Sequence, residues 1–380
     1  MAKQTAAGPY RSLALRRLTL LALLWVACFG RYLSAAGPDR ATQNVILVTL
    51  DGLRWQELFG GADESLINAD FGGVKDVDAV RDRFWREAPE ERRVALMPFF
   101  WGMIAAEGRV YGDAEQGSIA RVTNGLNFSY PGYNEILTGR ADPRIDSNDK
   151  IPNPNVTVLE WLHRRPEFHG RVAAFCSWDV FPFIINDERS GIPVNAGWQP
   201  LTIGPDANQL HDLNQFAAEL PHNWHNVRYD YFTFRGAEEY LRQKKPRVLY
   251  VSLGETDDWA HARRYDLYLD AARRNDDYLR RLWETAQSLP EYAGKTSLVV
   301  TTDHGRGDTR ESWINHGKEM PEAAPIWIAV LGPDTPRGPP PEGVVTQSQV
   351  AATVAALLGA DYHGAHPEVA PPLSGVLSAE

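Results

Sequence analysis

The chain is predicted to fold as an α/β sandwich around a mostly parallel central sheet, with helices on both faces. Three observations predict this. Short continuous apolar runs recur at 44–50, 171–176, 247–253, 297–302 and 326–331, the pattern of strands covered on both sides. Helical spacing fills the intervals at 156–163, 233–244 and 265–289, and returns at 347–358; strand alternating with helix favours a parallel sheet. Asp51, Asp257 and Asp303 stand just past three of the apolar runs, on the edge where open α/β sheets gather their ligands.

At 380 residues, with 43% hydrophobic and 23% charged residues, the chain is long enough to bury a sizeable core. Its net charge of −10 excludes general nucleic-acid binding, which needs a basic face. It does not exclude small anionic substrates, because bound metal ions supply local positive charge.

Residues 1–36 read as a signal peptide. Arg11, Arg16 and Arg17 form a basic region ahead of the apolar stretch Leu18–Phe29, which is too short to span a bilayer comfortably. Ser34-Ala35-Ala36 offers the small residues a signal peptidase needs, so cleavage is expected after Ala36. The protein is then exported, periplasmic or secreted, with no stable membrane span in the mature chain. A retained N-terminal anchor is one alternative. Lipidation at Cys28 is another, disfavoured because Trp25 occupies the place a lipobox gives to Leu. Residues 37–380 form a single catalytic domain. Removal of Cys28 leaves Cys176 as the only cysteine, following the apolar run Val172-Ala173-Ala174-Phe175, and a buried structural thiol is expected there.

Two stretches fit the alternation poorly. Residues 60–124 and 179–226 are rich in Gly, Pro, Trp, Asn and charge. They are expected to be insertions that cap the catalytic edge. Within the second, and just before it, Trp178, Phe181 and Trp198 are available to stack on a nucleoside or aryl group, although packing is the commoner use of large aromatics. The run from Pro336 to Gly343 reads as a stiff surface loop.

The chemistry is carried by five short segments. Asp51 ends the run Val45–Leu50. Asp257 and His261 form Asp-x-x-x-His after Leu249–Leu253, where Glu255 and Asp258 crowd the same turn. Carboxylates so close repel unless a cation or a proton intervenes. Asp303-His304-Gly305 ends the run Leu298–Thr302, and Gly305 permits a sharp turn; His316 precedes Gly317. Ser129 lies two residues before Pro131, which suits the first turn of a helix and places the hydroxyl at its N-terminus. Taken singly, a capping Asp, a solvated His and an N-cap Ser are the bland readings of these residues. Together, carboxylate, imidazole and hydroxyl are what two zinc-like ions need for displacement at phosphorus.

In this order, Asp51-Gly52, Ser129-Tyr130-Pro131, Thr138-Gly139, Asp257-x-x-x-His261, Asp303-His304-Gly305 and His316-Gly317 resemble the alkaline phosphatase superfamily. They are most similar to its nucleotide pyrophosphatase/phosphodiesterase-like branch. The resemblance implies an alkaline-phosphatase-like sandwich. It also implies that Asp257, His261 and His316 hold one divalent ion, while Asp51, Asp303, His304 and the Ser129 oxygen hold another. Zinc is favoured because imidazole supplies three ligands; Mn and Mg are the alternatives. The implied activity is hydrolysis of a small phosphate ester, as a phosphodiesterase or phosphatase, through a phosphoseryl intermediate on Ser129.

The chain departs from the family in places. Gly132 stands where the phosphodiesterase branch has Asn. The Asn that binds a phosphoryl oxygen falls nearest to Asn148, with Asn153 as a second candidate. Tyr133 replaces the Arg that sulfatases need, and the Arg that alkaline phosphatases proper place beside the nucleophile is missing, which leans toward diesters. Arg306 and Lys318 flank the metal motifs as candidate anion binders or solvated charges. The rival readings are a phosphotransferase or mutase of the same superfamily, separable by its isomerised product, and a metal-binding relative without turnover.

Overall fold

A computed structural model describes residues 40–378, together with Met1. The expected leader, 1–36, lies outside these residues apart from Met1. Residues from Arg40 onward form one compact unit. Among the described residues no helix is long and apolar enough to cross a membrane.

The main sheet has seven strands: β1 (Asn44–Leu50), β2 (Arg109–Tyr111), β4 (Val172–Cys176), β5 (Val194–Ala196), β6 (Val248–Leu253), β7 (Thr296–Thr301) and β9 (Ile328–Leu331). Their order is β2-β9-β7-β1-β6-β4-β5. The five strands β7, β1, β6, β4 and β5 are mutually parallel, whereas β9 runs antiparallel between β7 and β2. A second sheet orders β10 (Gly343–Thr346), β3 (Ser118–Arg121) and β8 (Pro325–Ile326). The predicted run 326–331 is therefore split between two sheets. Trp327 sits at the break, buried, with its indole N–H on the Leu53 carbonyl and its ring edge-on to Phe100. That anchor turns the chain out of one sheet and into the other.

β1 is buried along its whole length, and its residues alternate between two cores. Val45 and Leu47 face a layer containing α1 (Ser129–Thr138), α2 (Val158–His163) and α6 (Gln349–Leu357). Ile46, Val48 and Leu50 face α3 (Asp230–Lys244) and α5 (Tyr265–Ser288). A strand covered on both faces needs apolar residues at every position, which is why this run reads without alternation. Truncating one of these side chains to Ala would cost about 2–5 kcal/mol. Helices thus cover both faces of a mostly parallel sheet, as the sequence predicts.

The stretches 60–124 and 179–226 differ in use. The first contributes Leu66, Ile67, Val80, Phe84, Leu96, Phe100 and Ile104 to the core beneath α5, and adds β2 to the sheet edge. The second carries the helix Ala207–Glu219, which buries no residue, and leaves Phe216 and Leu220 exposed. Cys176 is buried and free, and burial pushes its thiol pKa up, so it is an inert core residue.

Candidate active site

β1 and β7 end beside each other in parallel register, so Asp51 and Asp303 emerge as neighbours just beyond their ends. β6 lies on the other side of β1 and feeds α4 (Glu255–His261), which carries Asp257 and His261 one turn apart. His304 follows Asp303, and His316 arrives from the loop beyond. Ser129 begins α1 and is buried. The six nitrogen and carboxylate residues form two groups, Asp51/Asp303/His304 and Asp257/His261/His316, each with ligand atoms all within 4.8 Å of one another. Ser129 Oγ stands 3.4 Å from His304 Nε2, and the His304 and His316 rings stack at 3.9 Å between the groups.

The donors are oriented for a cation. His304 donates Nδ1–H to the Gly305 carbonyl at 2.9 Å, and His316 donates Nδ1–H to the Asn127 carbonyl at 3.1 Å, so both Nε2 lone pairs face the carboxylates. Burial pushes His304 down to about 4, and burial followed by His304 holds His316 well below the usual imidazole range. Both rings are neutral near pH 7. Their Nε2 lone pairs then confront oxygens at 3.3 and 3.5 Å for His304 and at 3.5 Å for His316, an arrangement that repels unless a cation or a proton lies between. Asp51 accepts the Tyr133 hydroxyl on Oδ2 at 2.7 Å, and Asp303 accepts the Gly52 N–H on Oδ1 at 3.1 Å. Their other oxygens, Asp51 Oδ1 and Asp303 Oδ2, are buried without a partner. Burial, then neighbouring carboxylates, raises both aspartates well above the usual range. A tetrahedral ion with ligands about 2.0–2.1 Å away would separate them by roughly 3.4 Å, close to the spacings seen here. The residues fit divalent ions.

Asp257 differs. Burial alone would raise it, but Arg306, then His261 and His316, hold it well below the carboxylate range. The buried Arg306 spends Nε on the Trp313 carbonyl at 2.9 Å, Nη1 on Asp257 Oδ1 and Nη2 on the Ile314 carbonyl. It is not free to bind a substrate anion, which corrects one sequence reading. Lys318 is exposed on the surface.

The two asparagine candidates separate clearly. Asn153 is fully buried and donates to Asn134 Oδ1 and the Ile184 carbonyl. Asn148 lines a cavity of about 460 Å³ together with Asp51, Ser129, Lys150, Trp178, His225 and Asp258. Its Oδ1 accepts the Tyr130 N–H at 3.0 Å, which leaves the amide NH₂ as its remaining donor group. Residues 179–226 supply Asp179, Val180, His225 and Asn226 to the lining; among the described residues none from 60–124 lines it. Phe181 packs edge-on to Tyr133, and Trp198 stacks on His222 at 3.5 Å, so of the three aromatics singled out only Trp178 reaches the cavity.

Two departures from the family pattern have local causes. A Cβ at Gly132 would lie 2.4 Å from the Asp303 carbonyl oxygen, so only glycine lets α1 approach the end of β7 this closely. Gly305 is not in the left-handed region; a Cβ there would lie 2.5 Å from the Pro325 carbonyl oxygen, so close packing rather than turn geometry requires it. Tyr133 was legible only as a missing Arg. It sits one turn after Ser129 on the same face of α1, and that spacing was the available signal for its contact with Asp51.

Solved structures share this architecture. Wild-type alkaline phosphatase PafA superposes with a TM-score of 0.57 at 11% identity, covering 90% of this chain and 99% of that one. Murine ectonucleotide pyrophosphatase/phosphodiesterase 5, solved with AMP, gives 0.52 at 14%, covering 88% and 100%. An alkaline phosphatase superfamily protein from Vibrio parahaemolyticus gives 0.50 at 13%, covering 86% and 68%. At these identities the likeness establishes the fold. No curated protein matches the sequence. The family profile described as Type I phosphodiesterase / nucleotide pyrophosphatase matches residues 77–338, a stretch that holds Ser129 and every candidate ligand except Asp51. The chain belongs to the type I phosphodiesterase / nucleotide pyrophosphatase family.

Proposed function

We propose that this protein is an exported phosphoester hydrolase using two divalent ions, preferably zinc, and Ser129 as covalent nucleophile, with small phosphodiesters as its preferred substrates. Family membership supports phosphoester hydrolysis. The observation that carries the finer reading is the pair of three-residue groups flanking a buried serine hydroxyl at a helix start. Asp51, Asp303, His304 and Ser129 Oγ would hold one ion, and Asp257, His261 and His316 the other. When bound, the ions lower the serine pKa and neutralise charge that develops on the attacking and leaving oxygens.

The chain's own groups do the rest. Ser129 Oγ loses its proton to solvent through the cavity and attacks phosphorus; the Oγ–P bond forms as the bond to the leaving alcohol breaks. At the start of α1 the Ser129 N–H is left for a phosphoryl oxygen, because the Tyr130 N–H is on Asn148, Pro131 has none and the Gly132 N–H bonds the Phe128 carbonyl. The Asn148 amide donates to a non-bridging oxygen and keeps the phosphoryl group in line. Water then adds to phosphorus and the Oγ–P bond breaks, which regenerates the serine. Lys150, the lysine in the lining, is held by Asp179 at 2.7 Å. No arginine lines the cavity among the described residues. A dianionic monoester would want such a free cation, and a monoanionic diester does not.

Ser129→Ala tests the reading. Hydrolysis of bis-aryl and mono-aryl phosphates should fall by at least about a thousandfold, while metal analysis still finds about two ions per chain. Full activity in that variant would refute the nucleophile, and faster turnover of the mono-aryl ester by the unaltered protein would refute the diester preference.

A further inference from the structure

The two ligand groups carry different charge. Asp51/Asp303/His304 brings two carboxylates, each with a buried oxygen lacking any partner, and Ser129 adjoins it. Asp257/His261/His316 brings one carboxylate, and a buried guanidinium already lies against it. Arg306 is 0% exposed and fixed on three sides, by the carbonyls of Trp313 and Ile314 and by Asp257 Oδ1. Arginine stays protonated at any working pH. A divalent ion entering the second group therefore meets a formal ligand charge of −1 beside a fixed charge of +1, and must share Asp257 with the guanidinium. An ion entering the first group meets a charge of −2 with no cation against its carboxylates. The second group is also the open one: the His261 side chain is 45% exposed, whereas His304 and Asp303 are fully buried.

We propose that Arg306 is a positioning residue that makes the two metal sites unequal, so that the Asp51/Asp303/His304 site fills first and holds its ion while the Asp257/His261/His316 site binds weakly and exchanges its ion with solvent. This rests on the two-ion reading above. It assigns Arg306 a role through Asp257, with no contact to substrate. It also makes ambient metal concentration act on turnover through the open site alone.

The test is zinc binding to the metal-stripped full chain against a chromophoric chelator, with circular dichroism confirming the fold of each variant. The unaltered protein should bind Zn²⁺ in two steps whose dissociation constants differ at least tenfold. His261→Ala should weaken the weaker step further, about 10–100-fold, and leave the tighter one in place. Arg306→Gln should tighten the weaker step about tenfold or more and leave the tighter one in place. Arg306→Lys, which keeps the charge, should leave the weaker step weak. Equal steps in the unaltered protein would overturn the proposal, as would loss of the tighter step in His261→Ala. So would a Gln variant whose weaker step is unchanged or gone, or a Lys variant that tightens as Gln does. Absence of any zinc binding by the folded protein would instead sink the two-ion reading itself.

Discussion

The two halves of the site are built to different standards. Asp51, Asp303 and His304 sit at strand ends, and each presents one atom inward while another is tied down: Asp51 by Tyr133, Asp303 by Gly52, His304 by Gly305. Asp257, His261 and His316 come from a short helix and a loop, half-buried to exposed. Of these, Asp257 is held by Arg306 and His316 through the Asn127 carbonyl, whose residue adopts a positive φ of 51°. The rigid half adjoins the serine, where misplacement of an attacking oxygen is most costly. Each half gives one carboxylate, Asp51 and Asp257, to the lining of the cavity through which leaving groups and water would pass. Preorganisation is concentrated where bond formation needs it.

The largest expected effect comes from breaking the rigid half. Asp303→Asn keeps the oxygen that accepts the Gly52 N–H but removes a carboxylate ligand, so hydrolysis should fall on the order of a thousandfold. Stability should move the other way once the ions are stripped. A buried carboxylate with a partnerless oxygen is costly to fold around, and Asn removes that charge. In excess chelator the variant should therefore melt no lower than the unaltered protein, whereas with zinc present it should melt lower because it forfeits binding energy. Thermal melts with and without chelator check both signs. A chelated variant markedly less stable than the chelated parent would mean Asp303 holds the fold rather than an ion.

The looser half should tolerate more. His261→Ala removes a side chain that is nearly half exposed, so the melting temperature should stay within about 2–4 °C. Turnover should drop about 10–100-fold at low metal and recover as zinc is raised, because Asp257 and His316 remain. Absence of recovery at any zinc concentration would put this group on the same footing as the other and erase the contrast.

Much of this contrast could be read before any fold was known. The strand runs were legible because a doubly covered strand has no polar face, and the candidate ligands Asp51, Asp257 and Asp303 because each stands just past such a run. What escaped were the long-range pairings outside the two three-residue groups. Arg306 read as an anion binder or a solvated charge beside a metal motif, and only the path of the chain through Trp313 and Ile314 buries it against Asp257. Spacing put Asn148 ahead of Asn153 without deciding between them, and the packing of Asn153 against Asn134 separates them. The stretch 60–124 read as a cap because its aromatics and charges mask the Leu, Ile and Phe positions that it feeds into the core. Antiparallel β9 was hidden because an apolar run carries no sign of direction.

The smallest expected effect isolates a single hydrogen bond. Tyr133 lies fully buried, its ring edge-on to Phe181 at a centroid distance of 4.6 Å, and its hydroxyl donates to Asp51 Oδ2. Burial, then Asp303 and Asp51, keep its pKa well above that of a free tyrosine, so it remains an O–H donor at any working pH. Phe in its place preserves the packing and frees Asp51 Oδ2, which lets the carboxylate rotate or bind an ion through either oxygen. Support of this kind around a metal ligand is worth about 10–100-fold. We expect Tyr133→Phe to fall near the lower end, about tenfold, because the Thr256 hydroxyl still anchors the Asp51 backbone carbonyl at 2.5 Å. The loss should appear in kcat with KM little changed, since the bond would orient the ion beside the serine and Tyr133 itself does not line the cavity. A rise in KM with kcat intact would place Tyr133 on the substrate instead, and the rigid half of the site would owe less to its supports than its geometry implies.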